Sequence, residues 1–409
     1  MEATIPETTS AARRGSRRPG RRARSWAPIL VVAVLAALLA VVAGPWRSDD
    51  GGGPAPGDDR QRDDGDDRDD IGDGGHDEPV AIEPVEGGDS RILDYGEVLE
   101  HGRAAARGEE PWAGAVEDLV DFADEAVDDE PDPQQPLDIE GTEGPFVDDT
   151  TAAYALALAH VVTGEDRYAD ASLRFVDAWV ETTETTENTC RRDGSCQTSL
   201  IIGRVAPGFV FAVDLLRSAG VVDDADLEPF HDWLRDVILP TASERINNWG
   251  DAGNYMRFAV AAELGDEEEM ARAVRLWRRG MDLVDEDGHI PEETRREKGG
   301  LTYTQEALGY KVATADLAQR QGVDLWSYEG TEGTTLKEAV DYLARYLADP
   351  GDWPWYDDEV GEPTPAPFWE IAYRQWGDAD YVPFLEDERP FGEQGHSAIR
   401  WTTLTHADA

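Results

Sequence analysis

Apolar residues from Ile92 onward recur at spacings of three and four, which is the period of an α-helix with one buried face. The alternation of period two that marks a half-buried strand is not sustained in this part of the chain. The pattern therefore predicts an all-α fold. Four stripes show the helical period most clearly, namely Tyr168, Phe175, Val176 and Trp179; Phe230, Trp233, Leu234, Val237 and Ile238; Met270, Val274, Trp277 and Met281; and Leu336, Val340, Leu343 and Leu347.

The helices are predicted to come in antiparallel pairs. Gly164, Gly265 and Gly377 each follow an apolar helical run and precede an acidic residue that opens the next run. Glycine readily adopts the left-handed conformation that ends a helix, and an acidic residue suits the start of the next one. Thr335 and Glu338 have the spacing of a capping box. About ten to twelve helices paired in this way predict an α/α toroid, or incomplete α/α barrel of helical hairpins, with a central groove suited to a long polymer; an irregular helical bundle is the alternative.

The N-terminal part of the chain predicts export. Residues 13–24 carry seven arginines, and residues 29–43 form an apolar run without charge. Basic residues stay on the cytoplasmic side, so we interpret residues 1–25 as a basic cytoplasmic head and residues 26–46 as a transmembrane anchor. A cleaved signal peptide that ends at the small residues 41–43 is the alternative. Both interpretations put the rest of the chain outside the cytoplasm.

Residues 47–90 have the composition of a disordered linker. They are rich in Gly and Asp and nearly free of apolar residues, so they cannot bury enough surface to offset the loss of chain entropy. Calcium binding by the repeated aspartates is the less favoured interpretation, because the Gly-Gly-x-Gly-x-Asp repeat is absent. The folded domain is predicted to span residues 91–400, with residues 401–409 as a tail.

The charge of the chain narrows the choice of partners. Lys and Arg number 37 and Asp and Glu number 87, which gives a formal net charge of −50 in 409 residues. Phosphates would be repelled, so nucleic acid is not a predicted partner. Cys190 and Cys196 flank a short loop, and oxidising conditions outside the cytoplasm predict a disulfide between them. His and Cys residues with metal-ligand spacing are not found, so neither a metal nor another cofactor is predicted.

Two segments combine polar, aromatic and basic residues in a way that core packing does not require. Residues 245–255 read Arg-Ile-Asn-Asn-Trp-Gly-Asp-Ala-Gly-Asn-Tyr. Residues 288–303 read Gly-His-Ile-Pro-Glu-Glu-Thr-Arg-Arg-Glu-Lys-Gly-Gly-Leu-Thr-Tyr. Chemistry is therefore expected where these two segments meet.

At these two segments the sequence resembles the alginate lyase family of uronate polysaccharide lyases, whose fold is an α/α toroid. That family has an Asn-Asn-His element at the start of a helix. Further on it has a Pro-x-Glu-x-x-Arg element, then Tyr seven residues after that Arg, then Ala-Leu. The resemblance extends to residues 148–179, 319–326 and 368–381. The matching positions are Asn247 and Asn248 for the first element, and Pro291, Glu293, Arg296, Tyr303, Ala307 and Leu308 for the second.

One position departs from the family pattern. The histidine that follows the second asparagine is replaced by Trp249 in this chain. The histidine base or carboxylate neutraliser of the family therefore has no counterpart at this position, and the expectation of a preference for mannuronate loses its basis. Arg295 is an alternative register for the family arginine.

The residue types at these positions agree with the chemistry of a uronate lyase. β-Elimination removes the proton on C5 of a 4-linked uronate, next to a carboxylate that amide or guanidinium donors must neutralise. Asn248 is the candidate amide, assisted by Asn247 or Trp249. Tyr303 can take the C5 proton and return it to the leaving O4, and Arg296 would stabilise the phenolate. The predicted catalytic residues are Asn248, Arg296 and Tyr303.

Further arginines and aromatic residues are predicted to bind the polymer. Arginine holds carboxylates as a two-pronged donor, and aromatic rings stack on the faces of sugars. The predicted binding residues are Asn247, Trp249, Arg204, Arg245, Tyr255, Arg257 and Arg295, with Trp326 as a further stacking candidate.

Purely structural interpretations of the same residues stay open. Asn247 and Asn248 could serve only as caps of the helix that follows. Arg296 could be a surface partner of a neighbouring glutamate, and Tyr303 could be a packing residue at the start of a helix.

Other aromatic residues of this region are ambiguous from the sequence. His289 lies in an Asp-Gly-His turn and is predicted to be solvated rather than catalytic. Trp353 and Trp355 lie in a proline-containing loop and could be either core residues or platforms for a sugar.

The sequence as a whole predicts an exported, membrane-tethered monomer that cleaves an anionic polysaccharide, alginate or a glucuronan-like polymer, by β-elimination. Because the chain is so acidic, a polyanion needs a locally positive groove or high salt to approach it. One rival is an α/α-toroid glycoside hydrolase acting on acidic oligosaccharides, with a carboxylate pair drawn from Asp251, Glu293, Glu306 and Glu370. The other rival is a non-catalytic glycan-binding protein of the same fold.

Overall fold

The computed structural model describes residues 90–141, 143–188, 197–356, 360–361, 363–386 and 388–408. The predicted head and membrane segment, the linker up to residue 89, and the pair Cys190 and Cys196 lie outside the described residues. Within the described ranges the regular structure is helical, with no β-strand, so the prediction of an all-α fold is confirmed. The helices are α1 (Tyr95–Ala106), α2 (Trp112–Ala126), α3 (Pro145–Thr163), α4 (Asp166–Thr182), α5 (Thr198–Val205), α6 (Pro207–Ser218), α7 (Glu228–Trp233), α8 (Asn248–Leu264), α9 (Glu267–Met281), α10 (Pro291–Thr294), α11 (Gly300–Arg320), α12 (Leu336–Ala348), α13 (Phe368–Trp376), α14 (Val382–Glu386) and α15 (Thr402–His406).

The helices form an inner and an outer layer. Helices α3, α8 and α11 are buried on nearly all sides and are rich in alanine and other small residues. Helices α4, α9 and α12 pack against them from outside and are amphipathic, each with one buried stripe and one charged face. These outer helices carry three of the four stripes that the sequence predicted, and the fourth runs along α7 and the π-helical turn Leu234–Ile238 that continues it.

The inner helices follow one another around a ring. Helix α1 packs on α3, α3 on α6, α6 on α8, α8 on α11, α11 on α13 and α13 on α15. Helix α15 returns to α1 and closes the ring. This order is that of an α/α toroid built from successive helical hairpins.

The C-terminal residues take part in this packing. The sequence assigned residues 401–409 to a tail beyond the domain, but Thr402–His406 form α15, in which all five residues are buried. Trp401 and Ala407 on either side are also buried, and Nδ1 of His101 on α1 lies 2.6 Å from the carbonyl oxygen of Leu404. The packed fold therefore continues to Ala407.

The turns between paired helices follow the predicted chemistry. Gly164, Gly265 and Gly377 end α3, α8 and α13 with φ of 71°, 63° and 59°, which is the left-handed conformation that glycine adopts without strain. Thr335 and Glu338 form the predicted capping box at the start of α12.

One helical stretch of the described residues, Thr198–Ser218, is long and apolar enough to cross a membrane. It consists of α5 and α6, and 94% of its most apolar window is buried inside the protein. Its hydrophobicity is therefore accounted for by its place in the core of the toroid.

Candidate active site

The start of α8 presents the first predicted segment. Asn247 caps the helix, because its side-chain oxygen accepts the backbone N–H of Trp249 at 3.1 Å. The chain doubles back so tightly that a Cβ on Gly250 would lie 1.6 Å from the carbonyl oxygen of Arg245, so this position requires glycine. The cap prediction for Asn247 is confirmed, and Asn248 becomes the first, fully buried residue of the helix.

The second predicted segment forms a tight sequence of turns before α11. Helix α10 ends at Thr294, and the 3₁₀ turn Glu297–Gly299 leads directly into α11. This path lays the guanidinium of Arg296 over the ring of Tyr303, 3.7 Å from the ring centre. A Cβ on Gly299 would lie 2.7 Å from Cε2 of Tyr303, so glycine here leaves the room that the ring occupies.

The two segments meet at the side chain of Asn248. Its amide nitrogen Nδ2 donates to Oε2 of Glu306 at 2.8 Å, and its Oδ1 accepts from Nη1 of Arg296 at 3.4 Å. Arg204, which is buried on α5, donates from Nη2 to the same oxygen of Glu306 at 2.6 Å. Asn248, Arg296 and Tyr303 are thus gathered into one cluster with Arg204 and Glu306.

Glu306 is the residue of this cluster whose place the sequence interpretation missed, since it appeared there only as a candidate for a hydrolase. It lies three residues after Tyr303 on α11, so the two side chains project from the same face of the helix. Its side chain is 27% exposed, which makes it reachable from solvent. The spacing of three from the predicted tyrosine was the signal that could have identified it.

A buried carboxyl group lies beneath the cluster. Glu293 on α10 is fully buried, and its Oε1 accepts the backbone N–H of Asn248 at 2.6 Å. Burial raises the pKa of Glu293 to about 7, with a further contribution from the negative charge of Asp251. The Asn248 N–H, Arg296 with Nη1 3.8 Å from Oε2 of Glu293, and Lys311 act in the opposite direction. Glu293 therefore connects the start of α8 to the arginine above Tyr303.

The remaining basic candidates occupy different surroundings. The guanidinium of Arg245 lies over the ring of Trp249, 4.4 Å from its centre, so these two form a polar and aromatic pair at the start of α8. Arg295 points to solvent with its side chain 66% exposed and pairs with Glu292. Of the two adjacent arginines, Arg296 is the one that contacts the cluster around Asn248.

Two predicted binding residues are wrong. Tyr255 is 2% exposed and packs between the rings of Phe211 and Tyr310, so its faces cannot receive a sugar. Arg257 is buried and gives one terminal nitrogen each to Glu244 and Glu269, so its fork is already occupied. Both residues lie inside α8, which is buried all round, and the sequence does not distinguish its groove side from its core side.

Trp326 is a core residue as well. It is buried, meets the ring of Trp376 edge-on at 5.4 Å, and donates its indole N–H to Gln319 at 3.0 Å. The prediction that it stacks on a sugar is therefore wrong. Its polar edge is satisfied inside the protein.

A C-terminal segment that the sequence interpretation did not connect with the site lies against α5. The backbone N–H of Ala398 donates to the carbonyl oxygen of Arg204 at 2.8 Å. Arg400 donates to the carbonyl oxygens of Ser397 and Gly395, each at 2.7 Å, and burial lowers its pKa to about 10. Loss of solvent, followed by the positive charges of Arg204 and Arg400, lowers the pKa of His396. The imidazole at this edge of the site is therefore favoured in its neutral form.

The predictions for the aromatic loop after α12 are partly corrected. His289 is buried rather than solvated, with Nδ1 2.8 Å from Oδ2 of Asp285. Trp353 is 4% exposed and packs on Tyr342 and Tyr346 as a core residue. Trp355 is 42% exposed. Of the two alternatives that the sequence left open, Trp353 therefore follows the core interpretation, whereas Trp355 is exposed.

The sequence has recognisable relatives. The family model described as alginate lyase matches residues 118–353. An alginate lyase of Pseudomonas putida (strain W619) is 34% identical over 105 residues, which are 25% of this chain and 28% of that protein. An alginate lyase of Pseudomonas syringae pv. syringae is 21% identical over 216 residues, which are 51% of this chain and 56% of that protein. The chain thus spans about a quarter of the first of these curated relatives and about half of the second.

Solved structures show the same fold. An alginate lyase from Bacteroides ovatus superposes with a TM-score of 0.63 at 16% identity, covering 79% of this chain and 100% of that one. Alginate lyase A1-III from Sphingomonas species A1 superposes with a TM-score of 0.60 at 18% identity, covering 78% and 96%. A variant of alginate lyase A1-III complexed with a tetrasaccharide gives 0.64 at 19% identity, covering 78% and 95%. Each of these likenesses covers nearly four fifths of this chain.

Proposed function

This chain belongs to the alginate lyase family, and from that premise we propose that it is a polysaccharide lyase that cleaves a 4-linked uronate polymer, alginate or glucuronan-like, by β-elimination. The observation that carries the proposal is the convergence of Asn248, Arg296 and Tyr303, from two separate helices and a turn, on one cluster. Asn248 is buried in this cluster, and the side chain of Arg296, which is 31% exposed, connects it to solvent together with Glu306. The reaction needs no co-substrate, because it only moves a proton and electron pairs within the polymer.

The first requirement is to neutralise the carboxylate of the uronate. The amide of Asn248 and the guanidinium of Arg204 both point at Oε2 of Glu306, which is itself a carboxylate oxygen. Donors that hold one carboxylate are suited to hold another, and they would lower the energy of the enolate-like intermediate that forms when C5 loses its proton. Both donors are bonded to Glu306 in this structure, so the substrate carboxylate would take its place.

The second requirement is a base and an acid. In the proposed step the phenolate oxygen of Tyr303 takes the proton from C5, and the electron pair of that bond forms the C4–C5 double bond. The bond between C4 and O4 breaks, and the phenol returns the proton to O4. The guanidinium of Arg296, 3.7 Å from the ring centre, holds the tyrosine ring in place for this step.

The candidate binding surface beside this cluster contains Arg245 and Trp249. Arg245 stacked on Trp249 offers a flat, charged surface beside the start of α8. We propose that this pair holds the sugar next to the cleavage point, the guanidinium taking a flanking carboxylate and the indole supporting the pair. Asn247 contributes by fixing the start of the helix rather than by binding sugar.

The hydrolase alternative is less well supported by the carboxyl groups. A glycosidase needs two reachable carboxyl groups that flank the scissile bond. Asp251 is tied to buried Lys311, Glu293 is fully buried, and Glu370 is fully buried in a bidentate pair with Arg389. Of the four candidates, Glu306 alone is both in the cluster and reachable, so a flanking pair is missing among them.

The test is an ultraviolet absorbance screen for the unsaturated sugar that a lyase leaves and a hydrolase does not. The full chain is assayed on alginate, glucuronan, hyaluronan and pectate at several salt concentrations. We expect absorbance to rise on alginate or glucuronan. New reducing ends without absorbance would instead identify a hydrolase, and binding without either product would identify a glycan-binding protein.

We further propose that the chain is exported, acts as a monomer and stays tethered to the membrane by residues 26–46, with Cys190 and Cys196 bridged. The apolar run behind an arginine-rich head supports this placement. Cell fractionation and N-terminal sequencing of the mature protein test it. A chain recovered in the membrane with residues 1–25 intact is expected, whereas a mature N-terminus just after residue 43 would identify a signal peptide.

A further inference from the structure

Among the tryptophans of the described residues, Trp355 is the one that is exposed to solvent, although less than half of its surface is accessible. Three large apolar side chains are exposed in these ranges, and Trp355 is the aromatic one, at 42%. Its neighbour Trp353 already anchors the same loop in the core. Trp353 is therefore the core residue of this loop, and Trp355 lies at the surface.

The exposed ring is held in one orientation. The indole N–H of Trp355 donates to the hydroxyl of Tyr342 at 2.6 Å, and one ring face lies parallel to the imidazole of His289 at 3.8 Å and 7°. His289 is in turn fixed between Asp285 and Thr294. Since one face is covered and the polar edge is bonded, the exposed area lies on the opposite face and the remaining edge. Trp355 is thus a flat apolar surface with little freedom to rotate.

This surface borders the segment that carries the arginine of the active site. Thr294, which contacts His289, is followed directly by Arg295 and Arg296. Gly361, which follows Trp355 by six positions in the sequence, also contacts this segment, because its backbone N–H donates to the carbonyl oxygen of Lys298 at 3.2 Å. The ring is therefore linked through His289 and Thr294 to the segment that carries Arg296.

We propose that the open face of Trp355 is a stacking subsite for a sugar ring of the polymer, away from the unit that is cleaved. The proposal rests on the polysaccharide lyase function proposed above. A pyranose ring presents a face of C–H groups that packs on an indole, and a ring already fixed in place loses little conformational freedom on binding. The subsite selects chains long enough to reach it.

The test compares long and short substrates in the full chain. Trp355→Ala is expected to lower kcat/KM on the polymer about tenfold, because KM rises. On a trisaccharide that the parent chain cleaves to an unsaturated product, kcat/KM is expected to stay unchanged. Tyr342→Phe, which removes the acceptor of the indole N–H but keeps the ring stack, is expected to give a smaller loss on the polymer. Val221→Ala, an exposed apolar residue at the end of α6, is the matched control and should change neither value.

Equal effects of Trp355→Ala on the polymer and on the trisaccharide would overturn the subsite, as would no effect on either. A binding assay separates this outcome from failure of the lyase proposal. The Tyr303→Phe chain, with and without Trp355→Ala, is run in native gels containing alginate or glucuronan, and the tryptophan variant is expected to be retarded less. Retardation of both chains to the same extent counts against the subsite even if the parent chain produces unsaturated sugar. Absence of retardation and of product counts against both proposals.

Discussion

Tyr303 is held from two sides, by Arg296 over its ring and by Gly299 against its edge. We predict that Tyr303→Phe lowers kcat by about 10²-fold or more, because the hydroxyl that moves the proton is lost while the ring and its contact with Arg296 are kept. Initial rates and a thermal melt on the same preparation measure the two effects. The melting temperature is expected to stay within a few degrees of the parent value.

Tyr373→Phe on α13 is the matched control, since it removes a hydroxyl away from the cluster and should not change the rate. A Tyr303→Phe chain that keeps most of its turnover would remove the tyrosine from the mechanism.

Glu306 holds the donors that the substrate carboxylate needs. We predict that Glu306→Gln lowers KM for a uronate polymer about fivefold, because the amide oxygen still accepts from Asn248 and Arg204 while the negative charge that repels the substrate is gone. Steady-state kinetics at fixed salt measure the change.

Glu228→Gln, on the exposed start of α7, removes the same charge elsewhere and serves as the control. If Glu306→Gln instead lowered kcat strongly at unchanged KM, the carboxylate would have to take part in proton transfer.

At the level of elements, Glu293 lies at the junction of α8 and α10 and makes the stability of this junction depend on pH. The carboxyl group faces Asp251 and the Asn248 N–H from α8, Lys311 from α11, and Arg296 from the turn after α10. Its pKa is about 7 in the folded chain, above the ordinary 4.5, so the folded state binds the proton more tightly than the unfolded state. The stability from this group is complete below pH 4.5 and is lost as pH rises through about 7, at most about 3 kcal/mol in total.

Thermal melts between pH 5 and 8 test this coupling. Glu293→Gln, which cannot ionise, is expected to gain stability over the parent chain as the pH rises, and Glu228→Gln is expected to follow the parent. Parallel curves for Glu293→Gln and the parent would contradict a raised pKa of Glu293.

The elements that sequence could predict are those governed by local rules. An outer helix has one apolar side, and in α9 this side is the buried stripe of Met270, Val274, Trp277 and Met281. Gly265 adopts the left-handed conformation because glycine has no side chain to oppose it. The inner helices have no single apolar stripe that would indicate which side faces the core. Helix α8 is buried on nearly all sides, so the period alone could not tell that Tyr255 faces the core while Asn248 faces the cluster.

The candidate site was predictable where a motif fixed the spacing and not where distant segments meet. Tyr303 and Arg296 follow from the spacing of seven, and Glu306 could have been added from its position one helical turn later. The place of His396 depends on the contact between Ala398 and Arg204, nearly two hundred positions apart in the sequence, and on the fold that makes it. The stack of Trp355 on His289 is likewise a tertiary contact without a local signal.

The whole molecule carries a net charge of −50, and the proposed substrate is also an anion. We predict that kcat/KM on the polymer rises with added salt, because the Debye length falls from about 10 Å at 0.1 M to about 3 Å at 1 M and screens the general repulsion. The arginines that touch the substrate directly act at shorter range and are screened less. Rates at fixed pH across a NaCl series measure the effect.

A steady fall of kcat/KM with salt would contradict this prediction and would show that the arginines at the groove attract the polymer over a longer distance than the acidic surface repels it. A trisaccharide, with fewer charges, is the control and should respond less steeply.

The packing of α15 on α1 has a consequence for how the connectivity of the chain can be changed. A ring whose last helix touches its first has a seam rather than two ends, and the seam can be moved. A circular permutant that joins residue 408 to residue 90 by a flexible linker and opens the chain in the exposed turn after α6, at residues 221–226, keeps every neighbour in the ring. Such a permutant should fold to the same toroid, with its new termini close to residue 91, because Arg91 donates to Asp224 in that turn.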